Sequence, residues 1–524
     1  MPTMQKGSIA MRRRPLLLAA VLASGTLLTS CDKSITDLEP LPPMAAASVD
    51  ATAGNWAMIV LSAPSQIAVA APTAITNDAY KAELAAIRTA QASITRDQRA
   101  KIEYWAGGGV LRWNQVLRGL VAKYNLPPAP KADGSYVFPD ANYPFGDPAF
   151  PFANPPYAAR AYSYIAVAQY EALKAAWHYK YQYNRPSPWK NDAGVRALAP
   201  TTDLPSYPSE DAVLAGVTVA MLQALFPAAV EEATTRGADQ REAALLSGKA
   251  TSSDITAGLA LGRSVATLVL ARMTTDGTGN AIGNATIWSA LADSARARGE
   301  TPWTSLETPA RPPMLPLFGA VRTWNMTAGE LVSARPAAPY PVASAQMTTD
   351  VAEVRRTTEN LTQAQRAIAQ KWNDGAGTYT PPGHWNDIAT DYIRDAKFSE
   401  VRAARAFALL NMAMHDASVA CWEAKYKYFN PRPSQLDAAI RTDIGLPNFP
   451  AYPSGHSTFS AAASDVLGYL FPSDAANFRA MSDEAGMSRL YGGIHYRNDI
   501  TAGKAHGERV ATFTLRFARG DGAP

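Results

Sequence analysis

The chain has 524 residues, 47% of them hydrophobic and 18% charged, with a formal net charge of +4. This is the composition of a globular protein with a sizeable core, long enough for two domains or one large double one. So small a charge, with no basic run beyond Arg12–Arg14, argues against nucleic acid as a partner.

The chain opens on a basic stretch, residues 12–14, followed by an apolar run over 15–29 that is too short to span a bilayer. Leu28-Thr29-Ser30 then precedes Cys31. This order reads as a bacterial export signal of the lipoprotein type over residues 1–31, with Cys31 as the lipidated residue. The expected location is periplasmic, or anchored at the outer membrane or cell surface, with the membrane touched through the lipid alone. Cys421 is the one other cysteine, so a lipidated Cys31 leaves no intramolecular disulfide. Residues 32–54, rich in Pro, Ala and Asp, read as a flexible tether. No run of eighteen apolar residues is expected after the signal.

Residues 158–177 and 401–422 are Ala-, Leu- and Met-rich with helical apolar spacing. Residues 209–226, 256–273, 457–471 and 501–518 read as further helices, and few segments alternate as strands do. The fold class expected is all-α, two related helical bundles packed together.

A shift of 245 aligns two halves. Trp177 meets Trp422, Lys180 meets Lys425, Tyr207-Pro208-Ser209 meets Tyr452-Pro453-Ser454, and Asp254 meets Asp499. A constant offset over such a span points to internal duplication. The first copy has lost its chemistry. Gly455-His456 corresponds to Glu210-Asp211, Arg489 to Ala244 and His495 to Ala250. Residues 55–300 therefore read as a degenerate structural half, 301–341 as a Pro-rich linker, and 342–524 as the catalytic half.

In that second half, Lys425 precedes Arg432-Pro433, then comes Pro453-Ser454-Gly455-His456, then Ser488-Arg489 with His495 and Asp499. Two arginines and a lysine supply the fixed positive charge and forked donors that bind phosphate-like oxygens. Ser454 and the Gly455 amide add neutral donors, and glycine lets the backbone come close to an anion. Of two histidines, one can attack or ligate a central atom while the other moves protons. Asp499, four residues after His495, can fix that ring's tautomer.

The pattern Lys-x6-Arg-Pro, Pro-Ser-Gly-His, Ser-Arg-x5-His-x3-Asp resembles the superfamily joining type-2 phosphatidic-acid phosphatases, bacterial acid phosphatases and vanadium-dependent haloperoxidases. The resemblance implies paired four-helix bundles with an anion pocket at one end of one bundle. It makes His495 the ligand of vanadate, or the nucleophile on phosphate, and His456 the acid–base histidine. Lys425, Arg432, Ser454, Gly455 and Arg489 become the oxyanion clamp. Asp374 lies in Trp372-Asn373-Asp374-Gly375, which is similar to a chloroperoxidase stretch one residue longer. By that resemblance Asp374 pairs with Arg489, although an Asx-turn before Gly375 reads the same residues equally well. Phe449 falls where chloroperoxidases carry Phe, and an aromatic there walls the site from water.

The remaining histidines read as structural: His415 as a packed helix residue near the pocket, His384 as a loop residue able to line its entrance, His178 and His506 as packing. The clamp serves vanadate and phosphate alike. Length, duplication and Phe449 favour a vanadate-dependent haloperoxidase-like enzyme with peroxide and halide as small-molecule substrates. The alternatives are a phosphomonoester hydrolase that needs no vanadate and a lipoprotein that only binds the oxyanion.

Overall fold

The computed structural model describes residues 41–127, 129–136 and 154–524, so the export signal and Cys31 lie outside the described residues. Among the described residues the structure is helical throughout and has no strand, only an isolated bridge between Pro130 and Tyr136. Five helices build the frame of the first half: α1 Gly109–Tyr124, α2 Pro155–Tyr183, α3 Glu210–Leu225, α4 Val230–Leu246 and α5 Ser252–Thr274. Six position the site in the second: α6 Gln363–Lys371, α7 Thr380–Asp395, α8 Glu400–Tyr428, α9 Gly455–Leu470, α10 Ala475–Tyr491 and α11 Arg497–Gly520.

Helices α2 and α8, each 29 residues long, lie against one another at the centre of one continuous core. Their many alanines suit this place: Ala gives up no side-chain entropy in a helix and lets backbones approach closely. Trp177, Phe407, Trp422 and Leu409 are buried along them, each worth about 1.5–3 kcal/mol in burial. Close approach is also set by glycine. A Cβ on Gly262 of α5 would come 2.2 Å from the Val213 carbonyl of α3, and one on Gly507 of α11 would come 2.2 Å from Thr458 of α9.

The same interactions recur at the 245-residue offset. Arg160 pairs with Asp276 at 2.6 Å, and Arg405 with Asp521 at 2.7 Å. Trp177 donates its indole N–H to Val49, and Trp422 to Met314. Glu171 accepts from the amides of Ile59, Val60 and Leu61; Asp416 accepts from those of Trp324 and Asn325.

Three expectations change. The stretch read as a tether is packed from residue 41 onward: Leu41, Ala53 and Gly54 are buried, and Asp50 pairs with Arg402. The segment read as a linker, 301–341, is a strap on the second bundle. It buries Trp303, Leu315, Phe318 and Val321, and Met314 donates to the Asn448 carbonyl at 3.1 Å. Its prolines suit a strap that is extended outside the short helical segments Phe318–Ala320 and Ala328–Ala334, with the amides of Trp303, Met314 and Arg322 donating to carbonyls of other segments. Finally, the helical stretch Ser252–Asn280 is long and apolar enough to cross a membrane by length and composition. Gly258 and Gly262 press it onto α3, and Leu261, Val265 and Val269 are buried in the core.

Candidate functional site

The site gathers at the N-terminus of α9, the C-terminal end of α10, the turn into α11 and the residues linking α6 to α7. Ser454 caps α9, its Oγ accepting from Ser457 at 3.4 Å, while its own amide donates to the Asp499 carbonyl at 2.9 Å. That bond ties the start of α9 to the start of α11. Gly455 opens α9, and a Cβ there would meet only Phe459, at 3.8 Å. No crowding protein atom demands a glycine, so the open side of Gly455 faces the cavity.

That cavity holds about 450 Å³, and Asp374, Phe449, Gly455, His456, Arg489 and His495 all line it. Apolar surface from Phe449, Phe459, Trp422 and Ile494 completes this part of the wall.

His495 is buried between two partners. Its Nδ1 lies 2.8 Å from Asp499 Oδ2, and its Nε2 lies 3.0 Å from Arg432 Nη1. Guanidinium nitrogens only donate, so Nε2 is the accepting atom and the ring proton sits on Nδ1. Burial, reinforced by Arg432 and Lys425, holds the imidazole well below its ordinary pKa. Burial also pushes the Asp499 carboxyl up, to about 7.

Arg432 donates Nε to the Phe449 carbonyl and Nη1 to that of Ile494, and its Nη2 is buried without a partner. Arg489 is gripped by the C-terminal end of α6: it donates to the carbonyls of Trp372, Ala369 and Asn373. Helix C-termini carry partial negative charge and exposed carbonyls, which is why a cation rests there. Burial lowers both guanidinium groups to about 10, which leaves them charged at neutral pH.

Two of the expected roles are corrected. Lys425 does not present its ammonium to the cavity: the three donors of Nζ go to the carbonyls of Pro450, Ala451 and Pro453, at 2.6–2.8 Å. Buried beside a loop that turns three carbonyls toward it, it holds that loop, and with it Phe449 and Ser454, in place. Phe449 stacks near it, its ring centroid 5.1 Å from Nζ and 5.0 Å from the Arg432 guanidinium carbon. Asp374 meets histidines rather than Arg489. Its carboxylate lies 3.1 Å from His384 Nδ1 and 3.5 Å from His456 Nε2. Burial works to raise this carboxyl, but the two imidazoles outweigh it and hold it well below the usual range. His456 is itself pushed down to about 4 by burial, with Arg489 adding to the effect and Asp374 opposing it.

His384 is helical rather than in a loop, sits on α7, and stacks on Trp372 with ring centroids 4.2 Å apart. His415 is packed against Tyr164, Phe318 and Trp324, away from the cavity lining. Arg311, from the strap, joins the cavity wall and pairs with Glu307 at 2.7 Å. Nothing in the sequence around it distinguishes it from the other arginines. Among the described residues no group of three or more His, Cys, Asp or Glu is arranged to hold a metal ion directly.

In the first half the corresponding place is filled by carboxylates. Glu210 pairs with Lys180 at 2.8 Å and with Lys249 at 3.2 Å; Asp211 pairs with Lys249 at 2.6 Å; Arg185 pairs with Asp254 at 2.8 Å. The cations there are already neutralised by the protein's own anions.

Residues 404–522 match the family model described as the PAP2 superfamily. A curated relative, the lipid A 1-phosphatase of Rhizobium johnstonii, is 39% identical over 72 residues, 14% of this chain; the match spans 30% of that relative's length. Among solved structures, a bacterial vanadium-dependent iodoperoxidase aligns with a TM-score of 0.52 at 23% identity, over 69% of this chain and 91% of its own. A holo-type bacterial vanadium-dependent chloroperoxidase aligns with a TM-score of 0.50 at 12% identity, over 73% of this chain and 96% of its own. The PAP2 match over residues 404–522 and the helical fold fit the superfamily that unites PAP2 phosphatases and vanadium haloperoxidases.

Proposed function

We propose that this protein is a vanadate-dependent haloperoxidase-like enzyme, oxidising halide with hydrogen peroxide. The observation that carries the reading is His495. It is a buried imidazole whose accepting Nε2 borders a cavity edged by Arg489, Gly455 and His456. The residues fit a tetrahedral oxyanion. Arg432 Nη2 is buried and unbonded, the Cβ side of Gly455 is open, and Arg432 and Arg489 bond to backbone carbonyls rather than to carboxylates among the described residues.

In this reading Nε2 of His495 would hold vanadate, Arg432, Arg489 and the Gly455 amide would neutralise its oxygens, and Asp499 keeps the His495 proton on Nδ1. Bound vanadate would supply the Lewis-acidic centre at which peroxide is activated. His456 accepts or returns the proton, and Phe449 keeps water from one side of the cavity. The peroxidase fold of the two structural relatives and the apolar wall support this over simple binding.

A second reading is phosphomonoester hydrolysis, favoured by the stretch shared with a lipid A 1-phosphatase. There Nε2 of His495 attacks phosphorus and His456 protonates the leaving oxygen. We further infer from the sequence that the enzyme is an exported lipoprotein anchored through Cys31.

One paired assay on purified protein separates these. Vanadate, peroxide and halide are supplied with a halogen-accepting dye in one arm, and a phosphomonoester without vanadate in the other. Vanadate-dependent halogenation with no ester hydrolysis is expected. Hydrolysis alone would establish the phosphatase, and silence in both arms a binding protein.

A further inference from the structure

Asp374 stands between two imidazoles, and the details of that placement say more than proximity. It lies just past the C-terminal end of α6 in a left-handed conformation, φ 48°, which Asp tolerates better than most residues. Its expected partner, Arg489, has its donors on the carbonyls of Ala369, Trp372 and Asn373 and the hydroxyl of Ser488. The carboxylate is therefore left to the histidines.

On its outer side, Nδ1 of His384 lies 3.1 Å from Oδ1 and 3.3 Å from Oδ2. That ring cannot swing away. It stacks on Trp372, whose indole N–H is held at 2.8 Å by Glu484. On its inner side, Nε2 of His456 is buried, carries no hydrogen bond of its own, and has Oδ2 of Asp374 at 3.5 Å as its ion-pair contact. A carboxylate only accepts, so each nitrogen that faces it is best satisfied by bearing a proton.

We propose that Asp374 is a positioning residue shared by His384 and His456. It keeps the proton of His456 on Nε2, which leaves Nδ1 as the bare, proton-accepting atom of the cavity. His384 is locked as the Nδ1–H tautomer by the same carboxylate. The arrangement deepens the reading of His456 as the acid–base group and rests on it. It is the logic of an Asp–His pair in nucleophilic enzymes, where the carboxylate selects which ring nitrogen is basic. Here the second imidazole, wedged on Trp372, aims the carboxylate.

The test reads tautomers directly and needs no turnover. The chain has six histidines. With ¹⁵N-histidine labelling of the full-length protein, each ring can be assigned by single His→Gln variants in two-bond ¹H–¹⁵N spectra at neutral pH. The wild type is expected to show His456 protonated at Nε2 and bare at Nδ1, and His384 protonated at Nδ1. In Asp374→Asn and Asp374→Ala the His456 preference should be lost. A wild-type His456 protonated at Nδ1, or a His456 ring unaffected by both substitutions, would overturn the proposal.

Kinetics then separate it from the functional reading. Asp374→Asn should lower kcat by about 10–100-fold, the usual cost of losing such a partner, without changing the affinity for vanadate. Asp374→Glu should recover part of the rate. A tautomer shift with no change in kcat would leave the array standing and remove His456 from the proposed acid–base role.

Discussion

Nη1 of Arg432 lies 3.0 Å from Nε2 of His495 and donates to it. In the proposed reading, the imidazole nitrogen that would hold the phosphorus or vanadium centre is thus engaged by a guanidinium group of the same site. An incoming oxyanion would have to take over this donor for Nε2 to become free, so that reading couples anion binding to release of Nε2.

Arg432→Ala and Arg489→Ala should each weaken vanadate or phosphate binding by about 2–5 kcal/mol, because each removes a buried donor that no water can replace. Arg432→Lys should recover only part of this, since an ammonium lacks the fork that serves His495, Ile494 and Phe449 together. Isothermal titration on folded variants measures it. Wild-type affinity in either alanine variant would place the anion elsewhere.

The first half gives the control. Lys180 and Arg185 are engaged by Glu210 and Asp254. Lys180→Ala should leave oxyanion binding alone yet lower folding stability by about 3–5 kcal/mol, since it strands a buried carboxylate between fewer cations. A loss of vanadate affinity in this variant, measured on folded protein, would reveal a second live oxyanion site at Lys180 and Arg185.

Much of this was legible in the chain. The spacing of Lys425, Arg432, Ser454, Gly455, His456, Arg489, His495 and Asp499 picks out residues that the fold gathers near one another, because most lie at or beside helix ends. Helix content followed from Ala- and Leu-rich periodicity. What could not be read was direction. Lys425 sits in the clamp motif, but its ammonium is turned to three carbonyls of the 450–453 loop, a matter of loop path rather than residue type. Asp374 lines the same cavity as Arg489, but its partners are His384 and His456. The reason is that α6 ends on Arg489 with its own carbonyls, which no sequence pattern shows. The strap over 301–341 read as a linker because proline-rich chain looks the same whether free or bonded to a surface.

Buried neutral histidines make an acid-sensitivity prediction. His506 lies wholly inside, both ring nitrogens without a partner, and burial lowers it to about 3. Its folded pKa is below its unfolded value of about 6.5. The folded state therefore keeps the ring neutral while the unfolded state takes up a proton. The stability this gives is full above pH 6.5 and is lost as pH falls from there toward 3. In His506→Leu the slope of unfolding free energy against pH, between 6 and 4.5, should shrink by up to one proton, about 1.4 kcal/mol per pH unit. Urea titrations at four pH values measure it, and an unchanged slope would show that His506 is protonated in the fold.

The two cavity histidines should fail differently. In the proposed reading His495 would offer Nε2 as the attachment for the central atom, while His456 also lines the cavity and has Asp374 beside its Nε2. His495→Ala removes the only attachment, so vanadate should bind poorly and turnover should vanish. His456→Ala leaves the attachment, both arginines and the Gly455 amide, so vanadate should still bind measurably. Its turnover should nonetheless fall by roughly 10²–10⁴-fold, the usual share of general acid–base catalysis. If the phosphatase reading holds, the same asymmetry appears in substrate choice. An ester with a very good leaving group needs no proton donor, so it should partly rescue His456→Ala, whereas His495→Ala lacks the nucleophile and should stay inactive with every ester. Equal vanadate affinity and equal rescue in the two variants would mean that the roles of His456 and His495 are assigned wrongly, whichever reaction the site performs.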